Sequence, residues 1–210
     1  MWAVGIMLVA LPAINMLAQW NQQMVLPSCL SGLEEWMKNK EAEADWLTKQ
    51  FMSVTTISGL LVNLLLMAVL PAVSEEITFR GVLQQLLTAP HRLSPHLAIW
   101  LTAIIFSAVH MQFYGFVPRM LMGALFGYMF VWTGSLWVPM LMHFVNNGMA
   151  VLLYFLANKA GWDMDKVDAI GTNETLWLGI VSLVLTIVGI YAFRRSTTMS
   201  KASSRISSGN

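Results

Sequence analysis

The stretch that decides the fold reads SEEITFR, from Ser74 to Arg80, and it lies between long apolar runs. An ionised side chain near the middle of a membrane-spanning helix costs about 2.5 to 3.5 kcal/mol on insertion scales, and such residues by default mark functional sites. Glu75, Glu76 and Arg80 therefore need either a position among the lipid headgroups or partners inside the protein.

The composition of the chain predicts an integral membrane protein. Of its 210 residues, 57% are hydrophobic and 11% are charged, whereas a soluble domain carries about 25% charged residues. The net charge of +1 with no dense Lys or Arg face makes a nucleic-acid partner unexpected. The single cysteine, Cys29, excludes an internal disulfide and a thiolate metal cage. Met1 to Leu11 is apolar without a basic leader, which indicates the start of a spanning helix rather than a cleaved signal peptide.

Hydropathy predicts an all-α polytopic bundle of about six spanning helices, because a hydrocarbon core about 30 Å thick needs roughly 20 apolar helical residues. A charged helix over Glu34 to Lys49 is expected to lie at the membrane interface. Residues 1–195 are interpreted as one domain, with a core motif region at 70–148, followed by a disordered, basic and Ser-rich tail at 196–210. The spans are expected at Met1–Trp20, Phe51–Val73, Leu97–Val109, Gly115–Trp132, Leu136–Leu156 and Leu176–Phe193.

Charge between the spans predicts the orientation. The His91-Arg92 loop and the end of the chain after Phe193 are basic, whereas the loops at 34–49 and 159–174 are net acidic. Basic short loops stay on the cytoplasmic side, and six spans place both basic segments on the same side. We therefore expect a multi-pass protein of the cell (inner) membrane with a cytoplasmic C-terminal tail.

The two adjacent acids have different environments on a helix. Glu76 precedes Arg80 by four residues, which is the favourable order for an ion pair within one helix. Glu75 is rotated by about 100° from Glu76 and has no such partner. A buried, unpaired carboxyl is suited to general acid–base chemistry near neutral pH. The alternative is that both acids lie in the headgroup region where the second span ends.

Three further polar residues lie on apolar helices. His110 ends a short helix that also carries Phe106, and a histidine there can simply cap the helix C-terminus. His143 and Asn147 lie one turn apart inside the fifth span, where polar groups must find partners. Their alternative role is a hydrogen bond that joins two helices. Gly123 and Gly127 form a small-xxx-small step that indicates close helix packing.

Counting residues brings Glu75 and His110 together. If the chain reverses near Arg92, each lies about 17 residues from the turn, so they meet at the same depth, about 26 Å along the two helices. This requires one continuous helix from Phe51 into the Leu87 region. The same count leaves His143 roughly 10 Å out of level with His110, so a fold-back over Gln112–Pro118 or a tilt of the fifth helix is needed to close the cluster.

Three motifs occur in order on separate helices. They are Glu75-Glu76-x-x-x-Arg80, Phe106-x-x-x-His110 and His143-x-x-x-Asn147. In this order the chain resembles the CPBP family of intramembrane proteases, also called the Abi or CAAX-protease family, which includes the Rce1-type prenyl-protein endopeptidases. The resemblance covers about Leu70 to Gly148.

That resemblance implies a role for each motif residue. Glu75 would activate a water held or polarised by His110, and His143 and Asn147 would stabilise the oxyanion of the tetrahedral intermediate. Glu76 and Arg80 would fix the acidic helix, with Phe106 in support. The family is described as metalloproteases, and Glu75, His110 and His143 supply a three-ligand set for zinc. Because the His-Glu-x-x-His signature is absent, zinc and a metal-free water mechanism both stay open.

The function predicted from the resemblance is an intramembrane endopeptidase that hydrolyses a peptide or membrane-protein substrate in contact with the lipid bilayer. Bacteriocin processing, self-immunity and CAAX-type processing are its candidate roles. The alternative is a non-catalytic immunity or scaffold subunit, or a transporter, that uses the polar cluster for helix packing. Neither the oligomeric state nor the substrate follows from the sequence.

Overall fold

The chain folds into a bundle of helices. The computed structural model describes residues 2–90 and 92–207, so Met1, the His91 part of the predicted basic loop and residues 208–210 lie outside the described residues. Within that part of the chain there is no strand, and the predicted all-α class is confirmed. The helices are α1 (Trp2–Gln22), α2 (Ser31–Met52), α3 (Ile57–Thr88), α4 (Pro95–Ala108), α5 (Phe116–Thr133), α6 (Trp137–Ala160), α7 (Met164–Asp168) and α8 (Leu176–Ser207).

Five helices of the described chain are long and apolar enough to cross a membrane, namely α1, α3, α5, α6 and α8. The sixth expected span corresponds to α4, a shorter apolar helix of 14 residues with a length of about 21 Å. Ser94 caps its start, and its helical residues end at Ala108. Outward-facing residues of the long helices are apolar and exposed, as in a lipid-facing surface, and the chain is a multi-pass membrane protein.

The second span starts later than expected and runs further. Phe51 belongs to the end of α2, and α3 begins at Ile57, where the Thr56 side chain accepts the Gly59 N–H and caps the helix. From there one helix continues to Thr88, as the counting argument required. It contains two π-helical segments, Leu64–Val69 and Ile77–Leu83, on either side of the two acids.

The C-terminal segment differs from its expected disorder. Helix α8 continues to Ser207, well into the tail for which the composition predicts an unfolded chain. A helix already nucleated extends at little cost, since each added residue gains one backbone hydrogen bond. The prediction of disorder did not take into account that the apolar helix before the tail extends into it.

The glycine step on α5 brings three helices together. Arg80 Nη2 and Gln84 Nε2 of α3 donate to the carbonyls of Gly123 and Gly127, at 2.9 and 3.3 Å. A Cβ at Gly127 would lie 3.0 Å from Ile99 Cγ2 of α4 and 2.8 Å from Gln84 Oε1. Glycine at this position is therefore what lets α3 and α4 approach the α5 backbone.

Replacing Gly127 with alanine is expected to destabilise the protein by about 1 to 3 kcal/mol, the usual effect of overpacking. Thermal unfolding in detergent measures the change. Gly5→Ala is the matched control, because nothing lies within 4 Å of its added Cβ and alanine favours the helix. Equal melting temperatures for the two variants would show that the Gly127 contact is not tight.

Candidate active site

Glu76 is the centre of a buried polar cluster that joins three helices. Its Oε1 accepts from Arg80 Nη1 of α3 at 2.9 Å and from His143 Nδ1 of α6 at 2.9 Å. Arg80 continues the chain of contacts to the Gly123 carbonyl of α5. Glu76 and Arg80 are both fully buried. The expected ion pair is present, and both of its side chains are buried inside the bundle.

Aromatic rings enclose the Arg80 guanidinium. Its Cζ lies 4.7 Å from the Phe106 ring centre and 5.5 Å from that of Phe126. The Phe126 ring also stacks on His143, with ring centres 5.4 Å apart. These faces attract a desolvated cation and hold both side chains in one orientation.

Glu75 points into the same region, but its Oε2 makes no hydrogen bond with any residue of the described chain. That oxygen is buried and lies 3.9 Å from His110 Nε2 and 3.8 Å from His143 Nε2. Both separations exceed a direct hydrogen bond, and both suit a bridging water. The structure therefore brings Glu75, His110 and His143 together around one small space.

The other ring nitrogen of each histidine is already engaged. His110 Nδ1 lies 2.7 Å from the Phe106 carbonyl, and His143 Nδ1 bonds Glu76. A carbonyl and an ionised carboxylate only accept, so Nδ1 is the donor in both rings. In a neutral imidazole Nε2 then carries the lone pair. Three acceptors thus face one another across a gap that calls for a donor such as water.

The level difference expected between His110 and His143 is not found. The His110 ring points back along α4 and bonds the Phe106 carbonyl four residues earlier. This direction removes part of the expected difference in depth between His110 and His143. The chain after it folds back through Met111, whose φ of 55° is left-handed, and the turn Phe113–Gly115. The turn lies in the stretch where the sequence required a fold-back, and counting residues along straight helices also ignores side-chain direction.

Asn147 has a structural bond in addition to its place beside the cavity. Pro71 has no N–H to serve the carbonyl of Met67, four residues before it, and Asn147 Nδ2 donates to that carbonyl at 3.1 Å. The Asn147 Oδ1 accepts from Asn146 at 3.1 Å. The second hydrogen on Asn147 Nδ2 is not used in the bond to the Met67 carbonyl and is available to another acceptor. The helix-joining role and a role in the cavity are therefore compatible.

The donor set resembles a zinc site in type but not in spacing. Two ligands each about 2.05 Å from a tetrahedral zinc lie about 3.3 Å apart, and separations of 3.8 to 3.9 Å would open the angle to about 140°. In the described part of the chain, no three His, Cys, Asp or Glu side chains form a group that could hold a metal ion. The side chains as they stand do not fit zinc.

A cavity of about 440 Å³ opens onto Glu75 and the two histidines. This volume falls within the range of small-molecule and peptide sites. Its wall combines the polar cluster with apolar side chains of α3 and α5. The lining residues are Leu66, Met67, Pro71, Glu75, Phe106, His110, Arg119, Met122, Phe126, His143, Asn146 and Asn147.

Two positioning features were missed from the sequence. Asn21, fully buried near the end of α1, donates to the Phe113 carbonyl and accepts the Val117 N–H, which fixes the turn after His110. Arg119, on the first turn of α5, lines the cavity. A lone cation at the start of an apolar helix was the available signal for Arg119.

The fold and the site define a polytopic helical membrane protein with a cluster of acidic and histidine side chains inside the bundle. Residues 57–149 match the sequence family described as type II CAAX prenyl endopeptidase, Rce1-like. The recognition made from the three motifs is confirmed over these residues, which hold every predicted site residue.

A curated protein of Bacillus subtilis (strain 168), named "Uncharacterized protein YpbD", is 29% identical over 119 residues, covering 55% of this chain and 56% of that protein. The chain thus spans just over half the length of this relative. No solved structure matches.

Proposed function

We propose that the protein is an intramembrane endopeptidase of the CAAX type, in which Glu75 activates water against a peptide bond. One observation carries the proposal: Glu75 Oε2 is buried, has no hydrogen-bond partner among the described residues, and lies 3.8 to 3.9 Å from the Nε2 atoms of His143 and His110. A helix-packing role is already filled by Glu76, which binds Arg80 and His143. Helix packing alone therefore does not account for the buried carboxylate oxygen of Glu75.

The reaction follows from these contacts. A water in the gap donates one hydrogen to Glu75 and the other to a histidine Nε2, which leaves its lone pair free for the substrate carbonyl. Glu75 takes the proton as the C–O bond forms, and then delivers it to the leaving amine nitrogen as the C–N bond breaks. The oxyanion needs donors nearby. We assign this role to the spare amide hydrogen of Asn147.

This division differs from the one that the resemblance implies for His143. Its Nδ1 is committed to Glu76 and its Nε2 faces Glu75, so donation to an oxyanion needs a second ring proton. We therefore place His143 with His110 as a holder of the water. No step is routed through a metal, because the spacing of the three side chains does not fit one.

The setting of the reaction is also part of the proposal. We place the chain in the cell membrane with its basic end, including Arg194 and Arg195, on the cytoplasmic side. The family description favours CAAX-type processing. Bacteriocin processing and self-immunity have no structural observation in their favour.

The proposal is tested by incubating the purified protein in detergent with a quenched peptide library, prenylated and unprenylated. Cleavage of at least one pool is expected. Elemental analysis of the same preparation and assay with a chelator decide the zinc question. If no cleavage occurs either in detergent or in bilayers, the result would favour the non-catalytic alternative.

Replacing His110 with alanine is expected to lower kcat by about 10²- to 10⁴-fold, the usual contribution of a positioned acid–base group. Within the part of the chain that the structure describes, its ring hydrogen-bonds the Phe106 carbonyl four residues earlier and no other group, so the melting temperature should change little. Replacing His143 with alanine should lower both kcat and the melting temperature, because it also removes a hydrogen-bond partner of the buried Glu76. The matched control is His96→Ala, an exposed histidine that bonds Tyr128. Full activity of His110→Ala would remove this histidine from the mechanism.

A further inference from the structure

Arg119 is a cation in the wall of the cavity that the proposed mechanism does not use. Its Nη2 donates to Gln112 Oε1 at 2.6 Å. Its Nη1 is buried and has no hydrogen-bond partner within residues 2–90 and 92–207. Glu41 of α2 and Glu75 are the carboxylates that act on it electrostatically, and neither forms an ion pair with it in the described chain. The guanidinium therefore holds a spare N–H beside the cavity.

The position of this guanidinium is fixed before any ligand arrives. Gly115 lies against it, since a Cβ there would be 3.1 Å from Nη2. The turn that carries Gly115 is itself held by Asn21 on one side and by Glu41, which accepts the Tyr114 N–H at 3.1 Å, on the other. A preorganised donor binds its partner at a lower entropic cost than a free side chain.

A buried guanidinium N–H without an acceptor is unfavourable. Arginine presents a planar fork of donors that matches a carboxylate with two parallel hydrogen bonds. An anion that enters the cavity would accept a hydrogen bond from Nη1. Its attraction to the guanidinium would offset its own repulsion by the carboxylates of Glu75 and Glu41. The cavity, at about 440 Å³, is of the size of sites that bind small molecules.

We propose that Arg119 binds the free C-terminal carboxylate of the peptide substrate. This inference rests on the proposed endopeptidase function. It makes Arg119 a specificity residue rather than a member of the water-activating group. A lipid headgroup phosphate shares the anionic chemistry, and the experiment separates the two sources.

The test pairs two peptides of identical sequence, one ending in a carboxylic acid and one in an amide. For the wild-type protein, kcat/KM is expected to favour the acid by about 10-fold or more, the range of a charged hydrogen bond. Arg119→Gln should lower kcat/KM for the acid by about 10- to 100-fold, mainly through KM, and change the amide by less than about 3-fold. Arg119→Lys, which keeps the charge and loses the fork, should lie between them.

Arg195→Gln, on the exposed end of α8, is the matched control and should behave as wild type on both peptides. Equal cleavage of acid and amide by the wild-type protein would overturn the inference and leave the endopeptidase proposal intact. Cleavage of neither peptide would remove both. Equal losses on the two peptides for Arg119→Gln, with activity that depends on phosphatidylglycerol in the vesicles, would assign Arg119 to a headgroup instead.

Discussion

Replacing Glu75 with glutamine is expected to lower kcat by about 10³- to 10⁴-fold while the melting temperature stays the same or rises slightly. Glutamine keeps the size of the side chain and removes the oxygen that takes the proton, and a positioned base contributes up to about 10⁴-fold. Stability should not fall, because Glu75 Oε2 makes no hydrogen bond within the described chain. Steady-state cleavage of a quenched peptide and thermal unfolding in the same detergent measure the two effects.

The control for this prediction is Glu43→Gln, an exposed acid paired with Lys40 on α2. It should leave kcat unchanged. A Glu75→Gln protein that retains wild-type kcat would remove the proposed base, and with it the mechanism. A protein that loses activity only because it unfolds would show itself in the melting curve.

Replacing Arg80 with methionine is expected to destabilise the protein by about 3 to 5 kcal/mol. The change leaves the Glu76 carboxylate fully buried with His143 as its remaining partner, and an uncompensated buried charge has a cost of that size. Unfolding in detergent, followed by helical circular dichroism, gives the free energy.

The double variant Glu76→Gln/Arg80→Met should recover more than half of that loss. Apolar replacement of a buried pair is close to neutral, and a glutamine at 76 still offers His143 an acceptor. The exposed pair Lys40–Glu43, also joined at 2.9 Å, is the matched control, and Lys40→Met should cost less than about 1 kcal/mol. Equal stability of Arg80→Met and wild type would mean that Glu76 is neutral in the folded protein.

Local spacing was enough to predict part of this site. The order of Glu76 and Arg80 on one helix fixed their ion pair, because four residues return the chain to the same face. Counting from a turn near Arg92 placed Glu75 opposite His110, because both lie on helices of known rise. These predictions depend on the backbone alone, and they hold although Ile77–Leu83 is π-helical.

The rest of the site depends on features that spacing does not encode. His143 reaches Glu75 through the left-handed Met111 and the direction of the His110 ring. Asn147 bonds a carbonyl that Pro71 cannot serve, which requires knowing that α6 packs beside that turn of α3. Arg119 enters the cavity only because the turn before α5 folds back. In each case tertiary packing, rather than the local pattern, sets the position.

The short length of α4 bears on how water reaches a reaction inside a bilayer. At about 21 Å, this helix is shorter than a hydrocarbon core of about 30 Å. A helix shorter than the core thins the membrane around it. We therefore expect His110, just beyond the end of α4, to lie below the headgroup level. In the proposed mechanism, water would reach the cavity at this thinned region without a separate channel.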